Sequence, residues 1–185
     1  MVNFASVNLW GQRIGTVRWD VETFVAYFSY APEFIRRGLN VSPLIMPLSG
    51  GPEKVYDFPL LNRATFHYLP GLLADALPDR FGNQILRSWL EAHGRAPDSL
   101  TPVERLCYLG NRGMGALEFE PTIADSALSE SRPVDVAELA TLAAAVVQQR
   151  ADVQVGQHQL ADLLRVGTSA GGARAKAVVA LNDTT

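Results

Sequence analysis

A chain of 185 residues is long enough for one domain or two small ones. With 48% hydrophobic and 19% charged residues it has the balance of a globular protein in water, and no stretch reaches the roughly 18 apolar residues of a membrane span. A formal net charge of −3 argues against a free-standing nucleic-acid binder, and a single cysteine, Cys107, excludes an internal disulfide. The N-terminus shows no basic segment followed by an apolar run, so no signal peptide is expected and the cytoplasm is the expected location. No internal repeat or low-complexity tract is visible.

Residues 4–30 read as strands. Val7 and Leu9 alternate with polar neighbours, as do Val17 and Trp19, which is the period of a half-buried sheet. Gly11 supplies the turn between them. Phe24, Ala26, Phe28 and Tyr30 alternate again and predict a third strand. The aromatics of this region are expected in the core rather than stacked on a ligand. Ala31-Pro32-Glu33-Phe34-Ile35-Arg36-Arg37-Gly38 predicts a short helix, with proline in its first turn and glycine as its stop. Leu44-Ile45-Met46-Pro47-Leu48 is apolar but bounded by Pro43 and broken by Pro47. It reads as a short edge strand at best, with Val55-Tyr56-Asp57-Phe58 as its candidate partner.

From Pro70 the pattern turns helical, with Leu72, Leu73 and Ala76 on one face. Leu77-Pro78-Asp79 breaks that run. The next helix is expected from Asp79 to Gly94, with Phe81, Ile85 and Trp89 forming its stripe and Leu86, Leu90 and His93 flanking it. His93 suits the negative end of that helix dipole. His67 and His158 have no Cys, Asp or Glu at ligand spacing, so no metal site is expected. Thr101-Pro102-Val103-Glu104 predicts a helix start with a capping box and proline at the first position. That helix should end at Gly110. Gly113 to Glu120 reads as a loop into a strand, its two glycines implying close packing.

Pro121 to Pro133 is polar and small, and reads as a linker or surface loop. Asp135 caps a helix to about Arg150, with Val136, Leu139, Ala140, Ala143, Val146 and Val147 as its apolar stripe. Leu160, Leu163 and Leu164 predict a further short helix. The order of elements is an α+β arrangement.

The chain then reaches Val166-Gly167-Thr168-Ser169-Ala170-Gly171-Gly172-Ala173-Arg174-Ala175-Lys176, followed by the strand-like Ala177-Val178-Val179-Ala180-Leu181. Successive amides of such a loop make an anion-binding concavity, and Arg174 and Lys176 add positive charge. Four readings stand. Gly167-Thr168-Ser169-Ala170-Gly171 fits the nucleophile elbow of hydrolases, but no helix and no histidine follow. A Walker A loop requires lysine where Ala173 stands. A flap over nucleotide phosphates fits a glycine loop entering a strand, although the spacing is not that of a protein-kinase loop. A plain glycine-rich turn is the fourth.

Taken together, several segments resemble the HipA family of bacterial toxin–antitoxin Ser/Thr kinases. They are Phe28-Ser29-Tyr30-Ala31-Pro32-Glu33-Phe34 with Pro43-Leu44 and Pro47-Leu48, then Leu73-Ala74-Asp75-Ala76-Leu77-Pro78-Asp79-Arg80-Phe81-Gly82-Asn83. Pro102-Val103-Glu104-Arg105-Leu106-Cys107-Tyr108, Gly113-Met114-Gly115-Ala116-Leu117-Glu118-Phe119 and Ser169 to Lys176 complete the set. The resemblance implies a small β-rich N-terminal subdomain over 1–122, a linker at 123–134 and the beginning of a kinase-like core over 135–185, a helix plus a Gly-rich β-hairpin. It implies that Gly171, Gly172, Ala173, Arg174, Ala175 and Lys176 cradle the phosphates of ATP, with Mg in the full-length context. It makes Ser169 a regulatory autophosphorylation site that switches the kinase off, because a phosphoserine carries about −1.5 to −2 of charge into a loop built for anions.

The same resemblance implies a DNA-binding HipB-like antitoxin as partner, with DNA reached only through it, and a protein substrate of the aminoacyl-tRNA synthetase type. The phosphate-holding lysine, adenine hinge, catalytic aspartate and magnesium aspartate of the family do not occur before Thr185. The segment is therefore expected to be the N-terminal part of a longer kinase and inactive alone, with no catalytic or metal-binding residue of its own. The alternative is a stand-alone, non-catalytic interaction or antitoxin-like module; the glycine loop at 167–176 argues against a pure subdomain.

Overall fold

The computed structural model describes residues 2–113, 115–123, 135–148 and 156–166. They fall into two compact units, one of the described residues up to 77 together with those from 100 to 123, the other of residues 78–99 together with 135–148 and 156–166.

The first unit is built on a five-stranded antiparallel sheet. Its strands are β1 (Phe4–Leu9), β2 (Gln12–Asp20), β3 (Val25–Tyr30), β4 (Val55–Tyr56) and β5 (Leu117–Glu120), in the spatial order β4-β3-β2-β1-β5. The α+β class expected from the order of elements is thus observed. Trp10 and Gly11 join β1 to β2 with φ of 50° and 72°, as the tight turn of a two-residue hairpin requires. At the β2–β3 turn the Asp20 carboxylate accepts from Glu22 N at 2.9 Å and Thr23 N at 3.2 Å, which tightens the bend and holds that acid below its usual pKa. Alternation then fixes the register: Val7, Val17, Phe28 and Phe119 are fully buried. β5 adds to β1 with Phe119 opposite Val7.

Gly15 sits in β2 opposite Tyr30 of β3, with no room for a side chain. A Cβ there would stand 2.4 Å from Ser29 O and 2.6 Å from the Phe28 ring. The helices of this unit are α1 (Pro32–Arg37), α2 (Arg63–Phe66), α3 (Gly71–Ala74) and α5 (Pro102–Leu109). α5 packs Val103, Leu106 and Cys107 against β1, β2 and β5. Its capping box forms as the sequence predicts: Glu104 N donates to Thr101 Oγ1 at 3.1 Å and Thr101 N donates to Glu104 Oε2 at 3.1 Å. The other Glu104 oxygen accepts from Val2 N at 3.2 Å, across 102 residues of sequence. Burial, with the Glu104 carboxylate beside it, pushes the Cys107 thiol up to about 12.

In the second unit, α4 (Arg80–Ala92), α6 (Val136–Gln148) and α7 (Gln157–Val166) pack on one another. α4 buries Phe81, Ile85 and Trp89 at the expected spacing, with Leu86 and Leu90 beside them. α7 contributes Leu160, Ala161, Leu163 and Leu164. The α6 stripe is shifted from its expected position: Ala140 is exposed, and Leu142 and Ala145 are buried with Leu139, Ala143 and Val146. An alanine on a helix is equally at ease on either face, so periodicity alone misplaced it. Gln159 Nε2 donates to Glu138 Oε1 at 3.0 Å, joining α7 to α6.

Three further expectations are corrected. Residues 44–48 form no strand; a turn over 42–46 leads to a 3₁₀ turn at Leu48–Gly50, because Pro43 and Pro47 remove ladder donors. β4 therefore pairs with β3, Val55 opposite Ser29 and Tyr56 opposite Phe28. Trp10 and Phe24 are 77% and 56% exposed, since both sit at left-handed turn positions where the side chain leaves the sheet. Of the two loop glycines, Gly113 is close to Leu109, but Gly115 has open space around it.

Candidate functional site

The chain leaving α1 needs an anchor, and the sheet core supplies two tyrosines. Tyr30 Oη donates to Met46 O at 2.9 Å, and Tyr56 Oη donates to Pro47 O. Met46 is drawn into the core beneath them, 1% exposed. Burial, and the neighbouring Tyr56, push the Tyr30 phenol up to about 12, so it stays a neutral donor at any physiological pH. With Met46 turned inward, its neighbours Leu44 and Ile45 are turned outward, 90% and 62% exposed.

Nine large hydrophobic residues are exposed among those described, and five of them, Leu39, Leu44, Ile45, Val55 and Leu60, fall between residues 39 and 60. Scattered apolar side chains on a surface need no explanation, but their concentration between residues 39 and 60 sets this segment apart from the rest of the described chain. Each such leucine withdrawn from water by a partner is worth about 1.5–3 kcal/mol. Lys54 is the cation of this segment, its Nζ 5.7 Å from the Tyr56 ring centre.

The return path from this surface to the sheet is held in a strained conformation. His67 and Tyr68 are both left-handed, with φ of 49° and 65°. Ala26 N donates to Tyr68 O at 3.1 Å, Trp19 packs edge-on to the Tyr68 ring at 5.7 Å, and the Arg63 guanidinium lies 4.9 Å over it. Burial, and then the positive charge of Arg105, depress the pKa of His67.

The Leu77-Pro78-Asp79-Arg80-Phe81-Gly82-Asn83 segment proves to be the start of α4. The Asp79 carboxylate accepts from Gly82 N at 2.9 Å, and Asn83 Nδ2 donates to Pro78 O at 2.7 Å. His93, at the other end, places Nδ1 2.8 Å from Trp89 O and its ring 4.0 Å from the Trp89 ring. It is a helix-end residue packed on its own helix.

Gly171, Gly172, Ala173, Arg174, Ala175 and Lys176, expected to cradle phosphates, and Ser169, expected to be a regulatory site, lie outside the described residues, as does most of the expected linker. Sequence reasoning missed the exposed apolar segment because it took Leu44 to Leu48 for a strand. The two prolines bracketing the segment were the available signal.

Among the described residues no group of three or more His, Cys, Asp or Glu could hold a metal ion, and no helix is long and apolar enough to cross a membrane.

An antiparallel sheet with α5 packed on it and an irregular, apolar excursion between β3 and β4 defines an α+β domain. Residues 5–120, more than half of the chain, match the HipA N-terminal domain, and the chain belongs to that family. No curated protein matches it.

Proposed function

We propose that the chain supplies the N-terminal segment of a HipA-like Ser/Thr protein kinase toxin. Residues 1–122 form its antitoxin-contacting subdomain, 123–134 a linker, and 135–185 the beginning of its kinase core. The observation that carries this reading is the HipA N-terminal domain match over residues 5–120 in a chain that continues into the small, cationic Gly171 to Lys176 loop. In the full-length protein the reaction is attack of a serine or threonine hydroxyl on the γ-phosphorus of ATP. A new O–P bond forms, the bond from that phosphorus to the β–γ bridging oxygen breaks, and ADP leaves. Amides of residues 171–176, with Arg174 and Lys176, hold the phosphates; magnesium, when bound, neutralises the developing charge. The protein target is of the aminoacyl-tRNA synthetase type, and the setting is the cytoplasm.

The partner is a DNA-binding HipB-like antitoxin, which brings DNA to the complex indirectly. The bare Leu39, Leu44, Ile45 and Leu60 support a protein partner on the sheet-bearing unit, since their exposure has no use in an isolated domain. The test is phosphoryl transfer. The full-length protein with radiolabelled ATP and magnesium is expected to label itself, and residues 1–185 alone are expected to be inert. Transfer by residues 1–185 alone, or a full-length protein that binds ATP and transfers nothing, overturns the reading.

The match to an N-terminal domain alone favours a second reading, a stand-alone interaction or antitoxin-like module without catalysis. A stop codon directly after codon 185 supports it. An open frame encoding the missing lysine and aspartates supports the first.

A further inference from the structure

We draw no further inference here: the strongest candidate, the Asp79 carboxylate at the start of α4, whose Oδ2 is buried without a hydrogen-bond partner, is that helix's own cap, and no second observation in the structure points to a ligand.

Discussion

The starts of α5 and α4 solve the same problem in different ways. Each helix leaves backbone amides unpaired at its first turn, and each is capped by a polar side chain beside a proline. At α5 the cap is reciprocal and part-buried, and Glu104 also takes the amide of Val2, so one carboxylate serves the helix start and the residue that leads into β1. At α4 Asp79 takes a single amide, from Gly82, and its other oxygen has no partner. The start of α5 therefore ties distant parts of the chain together, whereas the Asp79 cap of α4 closes within its own first turn. The lesson is that two sequence motifs of equal strength need not carry equal energy.

The comparison can be broken first at the sheet. Phe28→Ala should cost about 3–5 kcal/mol in chemical denaturation, because a fully buried ring leaves a cavity between β3 and the core. Gly15→Ala should cost about 3 kcal/mol by overpacking against Ser29 O and Phe28, while Gly115→Ala, with open space around it, should stay within about 0.5 kcal/mol.

The caps come next. Glu104→Ala should cost about 2–3 kcal/mol, since it strands two amides and removes the tie to Val2. Asp79→Ala should cost only about 1 kcal/mol, with Asp79→Ser recovering most of it. Equal losses at the two positions would contradict the distinction drawn between them.

A smaller effect concerns pH. His67 has a folded pKa below its unfolded value of 6.5, so the unfolded chain takes up a proton first as pH falls. Stability is unaffected by this group above about pH 6.5 and declines as pH drops through and below that value. His67→Asn, which suits the left-handed backbone, should flatten the decline between pH 6.5 and the carboxylate range without changing stability at pH 8. An unchanged slope would remove His67 as its source.

The smallest effect on stability is expected at the bare surface. Leu44→Asp and Leu60→Asp should shift the unfolding midpoint by less than about 0.5 kcal/mol and yet abolish binding of the proposed antitoxin. Intact binding by both variants would move the contact elsewhere on residues 1–122.

The first three strands were legible because apolar residues such as Val7, Val17, Trp19, Phe28 and Tyr30 alternate along them, although the register shifts after Val7. Thr101 and Glu104 announced α5 because a capping box is written in four consecutive residues. Pro32 and Gly38 likewise announced α1, but the path from Leu39 to Leu48 was not legible. Met46 is buried and Leu44 and Ile45 are bare, a difference fixed by two tyrosines that reach in from β3 and β4. No local pattern distinguishes three neighbouring aliphatic residues whose fates are set from a distance. The association of α4 with α6 and α7 has the same origin: an apolar stripe states that a helix is covered, not by which element. The phosphate-cradle reading rests on family resemblance and on the chemistry of small residues and cations, and its residues lie outside those described.

The central claim is that this segment belongs to a working kinase that regulates itself at Ser169. Its most direct test is phosphopeptide mapping of the full-length protein after incubation with ATP and magnesium. Phosphate on Ser169, absent from a Ser169→Ala variant and accompanied by falling activity as it accumulates, is the predicted result. A protein that stays unmodified at Ser169, or carries phosphate on Thr168 alone, would contradict it.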